Sequence, residues 1–108
     1  MTVEYIRYRI EDPQRRTEFE NDYAAAAEQL AAAPQCLGWE LCKGVEEPER
    51  YILRIEWTSV EDHLGGFRSS PLFRQFLGHI RAYVGDIEEM KHYERTGVVS
   101  ASIGSEKP

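Results

Sequence analysis

Four ring-bearing side chains, Tyr8, Trp57, His63 and Phe67, are spaced so that a strand, a turn and a helix can aim them at one space. Tyr51, Leu53, Ile55 and Trp57 alternate with Ile52, Arg54 and Glu56, the period of two that sends successive side chains to opposite faces of a sheet. The strand this predicts ends near Trp57. Ser59 then offers an N-cap oxygen with Asp62 three places on, and His63 and Phe67, four apart, share the face of a short helix that turns back onto that strand. An indole can stack on a planar compound. An imidazole with an ordinary pKa of about 6.5 can take a phenolic proton, and a tyrosine hydroxyl can donate to an oxygen. Each residue also has a structural reading: Trp57 as core filling at a strand end, His63 as a helix histidine bonded to Asp62 or Glu61, and Tyr8 as a tyrosine edging a core.

Other reactive side chains have weaker claims. His79 falls off the apolar stripe of its helix and His92 has charged neighbours on its strand. Arg54 and Glu56 alternate away from the pocket face, which predicts a cross-strand ion pair or a dimer contact. The acidic cluster Asp86, Glu88 and Glu89 lacks a suitably spaced histidine and reads as solvated surface. Cys36 and Cys42 lie on one predicted strand, where a rise of about 3.3 Å per residue holds them roughly 20 Å apart. They cannot bond to each other and lack the short spacing and histidine partners of a zinc site, so they read as buried, reduced thiols, with redox or intersubunit roles as the alternative. No residue is assigned to a metal.

The elements that must position these groups are legible in order. Val3 to Ile10 alternates as a first strand, with Ile6, Tyr8 and Ile10 on one face and Tyr5, Arg7 and Arg9 on the other. Asp12-Pro13 stops it with an N-cap and a first-turn proline. A helix is predicted from about Gln14 to Ala33, with Phe19, Tyr23, Ala27 and Leu30 as its apolar stripe. Pro34 ends that helix, Cys36 to Gly44 forms a second strand, and Glu46 to Arg50 makes the turn into the Tyr51 strand. Gly65-Gly66 loosens the chain. Ser70-Pro71 then opens a helix reaching about Tyr83, with Phe73, Phe76, Leu77 and Ile80 buried, and Gly85 closes it before a fourth strand from Asp86 to Glu94.

The sequence strand, helix, strand, strand, helix, strand is the ferredoxin-like split motif, an α+β fold in which two helices cover one face of a four-stranded antiparallel sheet. The other face stays bare, with Tyr5, Trp39 and Tyr93 on it or at its rim. A symmetric pairing of two such faces is the economical way to cover them. One domain over residues 1–96 is expected, followed by a tail, residues 97–108, that is flexible or packs on a partner subunit, with Val98 and Val99 able to pair with a partner's strand edge.

Composition limits the partners. A chain of 108 residues with 42% hydrophobic and 30% charged residues is ordinary for one globular domain. Lys and Arg number 13 against 19 acidic residues, for a net charge of -6, which argues against a nucleic-acid partner. No apolar run approaches the roughly 20 residues that span a bilayer, and the start has no signal-peptide pattern, so a cytoplasmic protein with no membrane partner is expected.

Four stretches, RYRIEDPQRRTEFENDYAAA, CLGWELCKGVEEPERYILRIEWTS, HLGGFRSSPLF and IEEMKHYE, together give a chain that resembles the antibiotic biosynthesis monooxygenase family of dimeric α+β barrels, over about residues 3–95. The resemblance implies a homodimeric barrel whose subunits each hold a pocket between helices and sheet. In that pocket aromatic or quinol-like substrates are oxidised by molecular oxygen with no metal, flavin or haem cofactor. The family's tryptophan at the end of the third strand matches Trp57. Tyr8 and Leu53 stand where some members have asparagine, and Phe67 stands where many have a histidine, with His63 one turn earlier. Leu77 stands where haem-degrading relatives have a histidine, which disfavours haem binding.

The resulting expectation is a cofactor-free monooxygenase acting on a small aromatic or polycyclic ligand, with His63, Trp57 and Tyr8 as catalytic residues and Ile6, Leu53, Ile55, Phe67 and Phe73 as the substrate wall. The alternative is a non-catalytic small-molecule-binding or stress-response dimer of the same fold.

Overall fold

The computed structural model describes residues 1–101. Its elements are β1 (Thr2–Arg9), α1 (Pro13–Ala32), β2 (Cys36–Lys43), β3 (Arg50–Trp57), a π-helical turn (Asp62–Phe67), α2 (Pro71–Ile80), a 3-10 segment (Arg81–Asp86) and β4 (Ile87–Glu94). The strands form one sheet in the order β2-β3-β1-β4 with every neighbouring pair antiparallel. This is the βαββαβ ferredoxin-like order, and both helices cover one face.

Local chemistry sets these boundaries. Asp12 accepts a hydrogen bond from the Gln14 amide at 3.0 Å, and Pro13 occupies the first turn of α1, where its missing N–H costs nothing. Ser70 does the same for Phe73 ahead of Pro71. Between β2 and β3 the Gly44 amide donates to the Arg50 carbonyl at 2.8 Å. A Cβ at Gly44 would collide with the Glu47 carbonyl, so this turn needs glycine.

The buried stripe of α1 is Phe19, Tyr23, Ala26 and Leu30, with Ala26 in the place expected of Ala27. At about 100° per residue, position 26 lies about 20° from Phe19 around the helix and position 27 about 80°. The second helix ends at Ile80 rather than near Tyr83, and the chain tightens into the 3-10 segment. That tightening seats Tyr83 against Phe19, ring centroids 5.0 Å apart, where its hydroxyl donates to Asp22 at 2.6 Å.

The helix-covered face of the sheet carries Glu4, Ile6 and Tyr8 of β1 and Tyr51, Leu53, Ile55 and Trp57 of β3, all buried. The opposite face pairs Tyr5 edge-on with Tyr93 at 5.4 Å and leaves Tyr93 48% exposed. Arg54 and Glu56 do form an ion pair, 2.7 Å apart, but along one strand rather than across two, because residues two apart share a sheet face. Tyr5, Trp39, Arg54, Glu56 and Tyr93 line a wide concavity there, with Val99 at its rim. Of the expected tail, residues 102–108 lie outside the described residues. Among the described residues no helix is long and apolar enough to cross a membrane.

Candidate functional site

An apolar slot of about 220 Å³ opens between α1, α2, the π-helical turn and the sheet. Of the residues expected to form a site, Tyr8, Trp57, His63, Ile6, Ile55, Phe67 and Phe73 line it. Leu53 does not. It pairs across the sheet with Ile6 on one side and Leu41 on the other, and is packed into the core below the slot.

The turn that delivers His63 is wider than an α-helix. The Arg68 amide donates to the His63 carbonyl at 3.0 Å, five residues back, and Ser59 caps the start by accepting from the Asp62 amide at 2.9 Å. Asp62 is also bonded to Thr58, so it is not the histidine's partner. His63 instead lies flat on Trp57, centroids 4.3 Å apart and planes within 10°, and is only 3% exposed. Phe67 closes the stack from the side, 5.1 Å from the indole.

Polar groups gather at this end of the slot. Glu4 projects from the apolar face of β1, and the indole Nε1–H of Trp57 donates to its Oε1 at 3.0 Å. The Nε2 of His63 stands 3.7 Å from the same oxygen. On its other edge, His63 Nδ1 is 2.8 Å from Nε2 of His92, which β4 places directly opposite Glu4 in the register. Arg68 supplies a positive charge at the mouth, its guanidinium 3.7 Å from the Met90 sulfur.

Burial governs how these groups titrate. His63 is pushed down to about 3, first by desolvation and then by the charges of Arg68 and His92, so its imidazole is neutral at physiological pH. His92 is lowered for the same reasons, burial and Arg68. Burial raises Glu4 against the opposing pull of the Trp57 hydrogen bond and Arg68. The end therefore holds two neutral imidazoles, one buried carboxyl group and a cation, all within reach of the slot.

About four residues along β1, some 13 Å at the rise of a strand, the slot ends differently. The hydroxyls of Tyr8 and Tyr23 bond to each other. Burial raises Tyr8 to about 12, so it keeps its proton and can serve only as a hydrogen-bond donor or a wall. Phe19 sits among Tyr8, Tyr23, Tyr51 and Tyr83, each centroid within 5.1 Å of its own.

Three residues of the polar end, Glu4, Arg68 and His92, escape a reading of the sequence that ranks histidines by their own helix or strand. One signal was present: Glu4 falls in phase with Ile6, Tyr8 and Ile10, a carboxylate on an apolar face.

These features define a ferredoxin-like α+β domain with a ring-walled slot between helices and sheet. The sequence profile of the antibiotic biosynthesis monooxygenase family matches residues 1–78, and the chain belongs to that family. YczJ, an uncharacterized protein of Bacillus subtilis, is 27% identical over 77 residues, covering 71% of this chain and 81% of its own. A Bordetella bronchiseptica protein assigned to the antibiotic biosynthesis monooxygenases superposes with a TM-score of 0.73 at 26% identity, over 88% of this chain and 96% of that one. SnoaB, a cofactor-independent oxygenase from Streptomyces nogalater, shares the fold with a TM-score of 0.68 at 20% identity, over 93% and 95% of the two chains.

Proposed function

We propose that this chain is a cytoplasmic homodimeric monooxygenase that oxidises a small aromatic or quinol-like molecule held in the slot beside Trp57, without a cofactor. The observation that carries the reading is the convergence of Trp57, His63 and Phe67 on a slot whose polar groups face one end. Size narrows the substrate. An apolar cavity of about 150 Å³ accommodates benzene, so a slot of about 220 Å³ has room for one or two fused rings.

In this mechanism the substrate ring stacks in the slot with its hydroxyl toward His63. The neutral imidazole accepts the hydroxyl proton, and Arg68 stabilises the anion that forms. An anion in the slot raises the affinity of His63 for a proton, offsetting part of the burial that otherwise makes it a weak base. The substrate carbanion transfers an electron to dioxygen, the two radicals join as a C–O bond, and the peroxide takes up a proton. Loss of water from the hydroperoxide leaves a carbonyl, so one oxygen atom enters the product and the other leaves as water. Apolar walls keep solvent from quenching the anion.

The bare sheet face, with Tyr5, Trp39 and Tyr93, is closed in this reading by a second copy. Sedimentation of the purified chain as a monomer at micromolar concentration removes that part.

The activity is tested with chelator-treated protein, labelled dioxygen and a panel of one- and two-ring hydroquinones and naphthols. One labelled oxygen atom per product is expected, with turnover reduced at least tenfold in Arg68→Gln. Absence of turnover above buffer across the panel refutes oxygenation. Ligand-dependent thermal stabilisation without product would then favour the non-catalytic binding dimer, a reading to which the depressed basicity of His63 lends weight.

A further inference from the structure

The geometry points to a divalent transition-metal site formed by Glu4, His63 and His92 at the polar end of the slot. One carboxylate oxygen and one imidazole nitrogen from each histidine lie within 4.8 Å of one another. The shortest separations use two different nitrogens of the His63 ring: Nδ1 stands 2.8 Å from His92 Nε2, and Nε2 stands 3.7 Å from Glu4 Oε1. Ligands bound at about 2.0–2.2 Å to a tetrahedral or octahedral ion stand roughly 3.0–3.5 Å from each other, and since an imidazole gives an ion one nitrogen, a single His63 nitrogen must approach both His92 and Glu4. Closing the cluster from within 4.8 Å to that spacing takes side-chain movements of about an ångström.

The donor types agree with the spacing. Two imidazoles and one carboxylate are the ligand set of open zinc and non-haem iron sites, which keep further positions for water or substrate. Here those open positions face the slot, because Glu4 and His63 line it. The surroundings supply the outer support such sites use: Trp57 Nε1–H holds the Glu4 carboxylate, and stacking on the indole fixes the His63 ring plane. The three ligands also come from β1, the π-helical turn and β4, so the fold itself fixes their meeting. Without an ion, the two ring nitrogens at 2.8 Å make an N–H···N hydrogen bond, and a bound cation would take the place of its proton.

Arg68 is the opposing charge. It lies at the exposed mouth and weakens the site, which predicts that Arg68→Gln binds metal more tightly than the parent chain.

The test is titration of chelator-treated full-length protein with Co2+, read by visible ligand-field absorption, and with Zn2+ by calorimetry. One ion per chain is expected, with at least tenfold weaker binding in His92→Ala and in the isosteric Glu4→Gln, and unchanged binding in the control His79→Ala, whose side chain is exposed. His92 sits on an edge strand and is partly exposed, so its variant folds more readily than one at His63, and circular dichroism of each variant verifies this. Absence of a ligand-field band, or binding that survives both His92→Ala and Glu4→Gln, overturns the site. Metal binding without hydroquinone turnover removes the oxygenation reading and leaves this one. Turnover by metal-free protein that takes up no Co2+ does the reverse.

Discussion

The two ends of the slot are built from similar materials and solve opposite problems. At one end Tyr8 and Tyr23 hydroxyls bond each other, Tyr51 donates to Glu20 at 2.6 Å and Tyr83 to Asp22 at 2.6 Å. Every phenol there has a protein partner, and all four rings pack around Phe19. At the other end a carboxylate and two imidazoles face one another with capacity left over: Glu4 has accepted one hydrogen bond, and the histidine pair has lone pairs to offer. The difference locates chemistry. A polar group already satisfied by its neighbours stabilises the fold, whereas one held in place with unused capacity can act on something that enters.

Trp57 is the part the polar end depends on, and its replacement gives the largest expected effect. The indole is fully buried and touches Glu4, His63 and Phe67. Trp57→Ala should cost about 3–5 kcal/mol, a large share of the total stability of about 5–15 kcal/mol usual for a domain. Trp57→Phe keeps a ring for His63 but strips Glu4 of its donor, a loss of about 1–3 kcal/mol. Urea denaturation of the three proteins measures both. A cost for Trp57→Ala below about 1 kcal/mol would mean that the polar end relies on other supports.

How much of this was legible in the sequence follows the same division. Strand alternation, two proline-capped helices and the in-phase Trp57, His63 and Phe67 are local patterns, and the fold and the stacked rings follow from them. Ala26 replacing Ala27 is a phase error of one residue in an alanine run, where side-chain size gives no guide. His92 has charged neighbours along its strand, Lys91 among them, which hides it in a linear reading. Alternation sends Lys91 to the other face, and only the β1–β4 register reveals Glu4 across from His92. Arg68 acts through space from the end of a turn whose π-helical width no periodicity announces. Sequence patterns report neighbours along the chain, and a site assembled from three elements is a matter of pairing.

Acid sensitivity separates the two ends next, through His63. In the chelator-treated protein its folded-state value is about 3, while the unfolded chain has the ordinary value of about 6.5. Between these limits the unfolded state binds more protons, so stability rises with pH across the window and falls as pH drops from about 6.5 toward 3. Glu4, raised by burial, acts in the opposite sense above its ordinary range, and it is retained in the comparison. Melting temperature should therefore drop more steeply for the parent chain than for His63→Gln between pH 6.5 and pH 4. Parallel profiles would show that the imidazole is not held neutral by the fold.

The tyrosine end offers the smallest and most discriminating change. Tyr8→Phe removes one hydroxyl from a buried pair and leaves Tyr23 without its partner, at a cost of about 1–2 kcal/mol, and Tyr8→Phe with Tyr23→Phe should recover part of it because no buried hydroxyl is then orphaned. With Tyr8 raised to about 12 by burial, its phenol cannot act as the base near neutrality, so hydroquinone turnover should change less than threefold in either variant. A loss in Tyr8→Phe as large as that in His63→Gln would erase the contrast between the two ends and make the tyrosine pair part of the reaction. Stability and turnover must be read together, because the contrast predicts that they separate: the tyrosine pair should move the melting temperature with little effect on rate, and the histidine should move both.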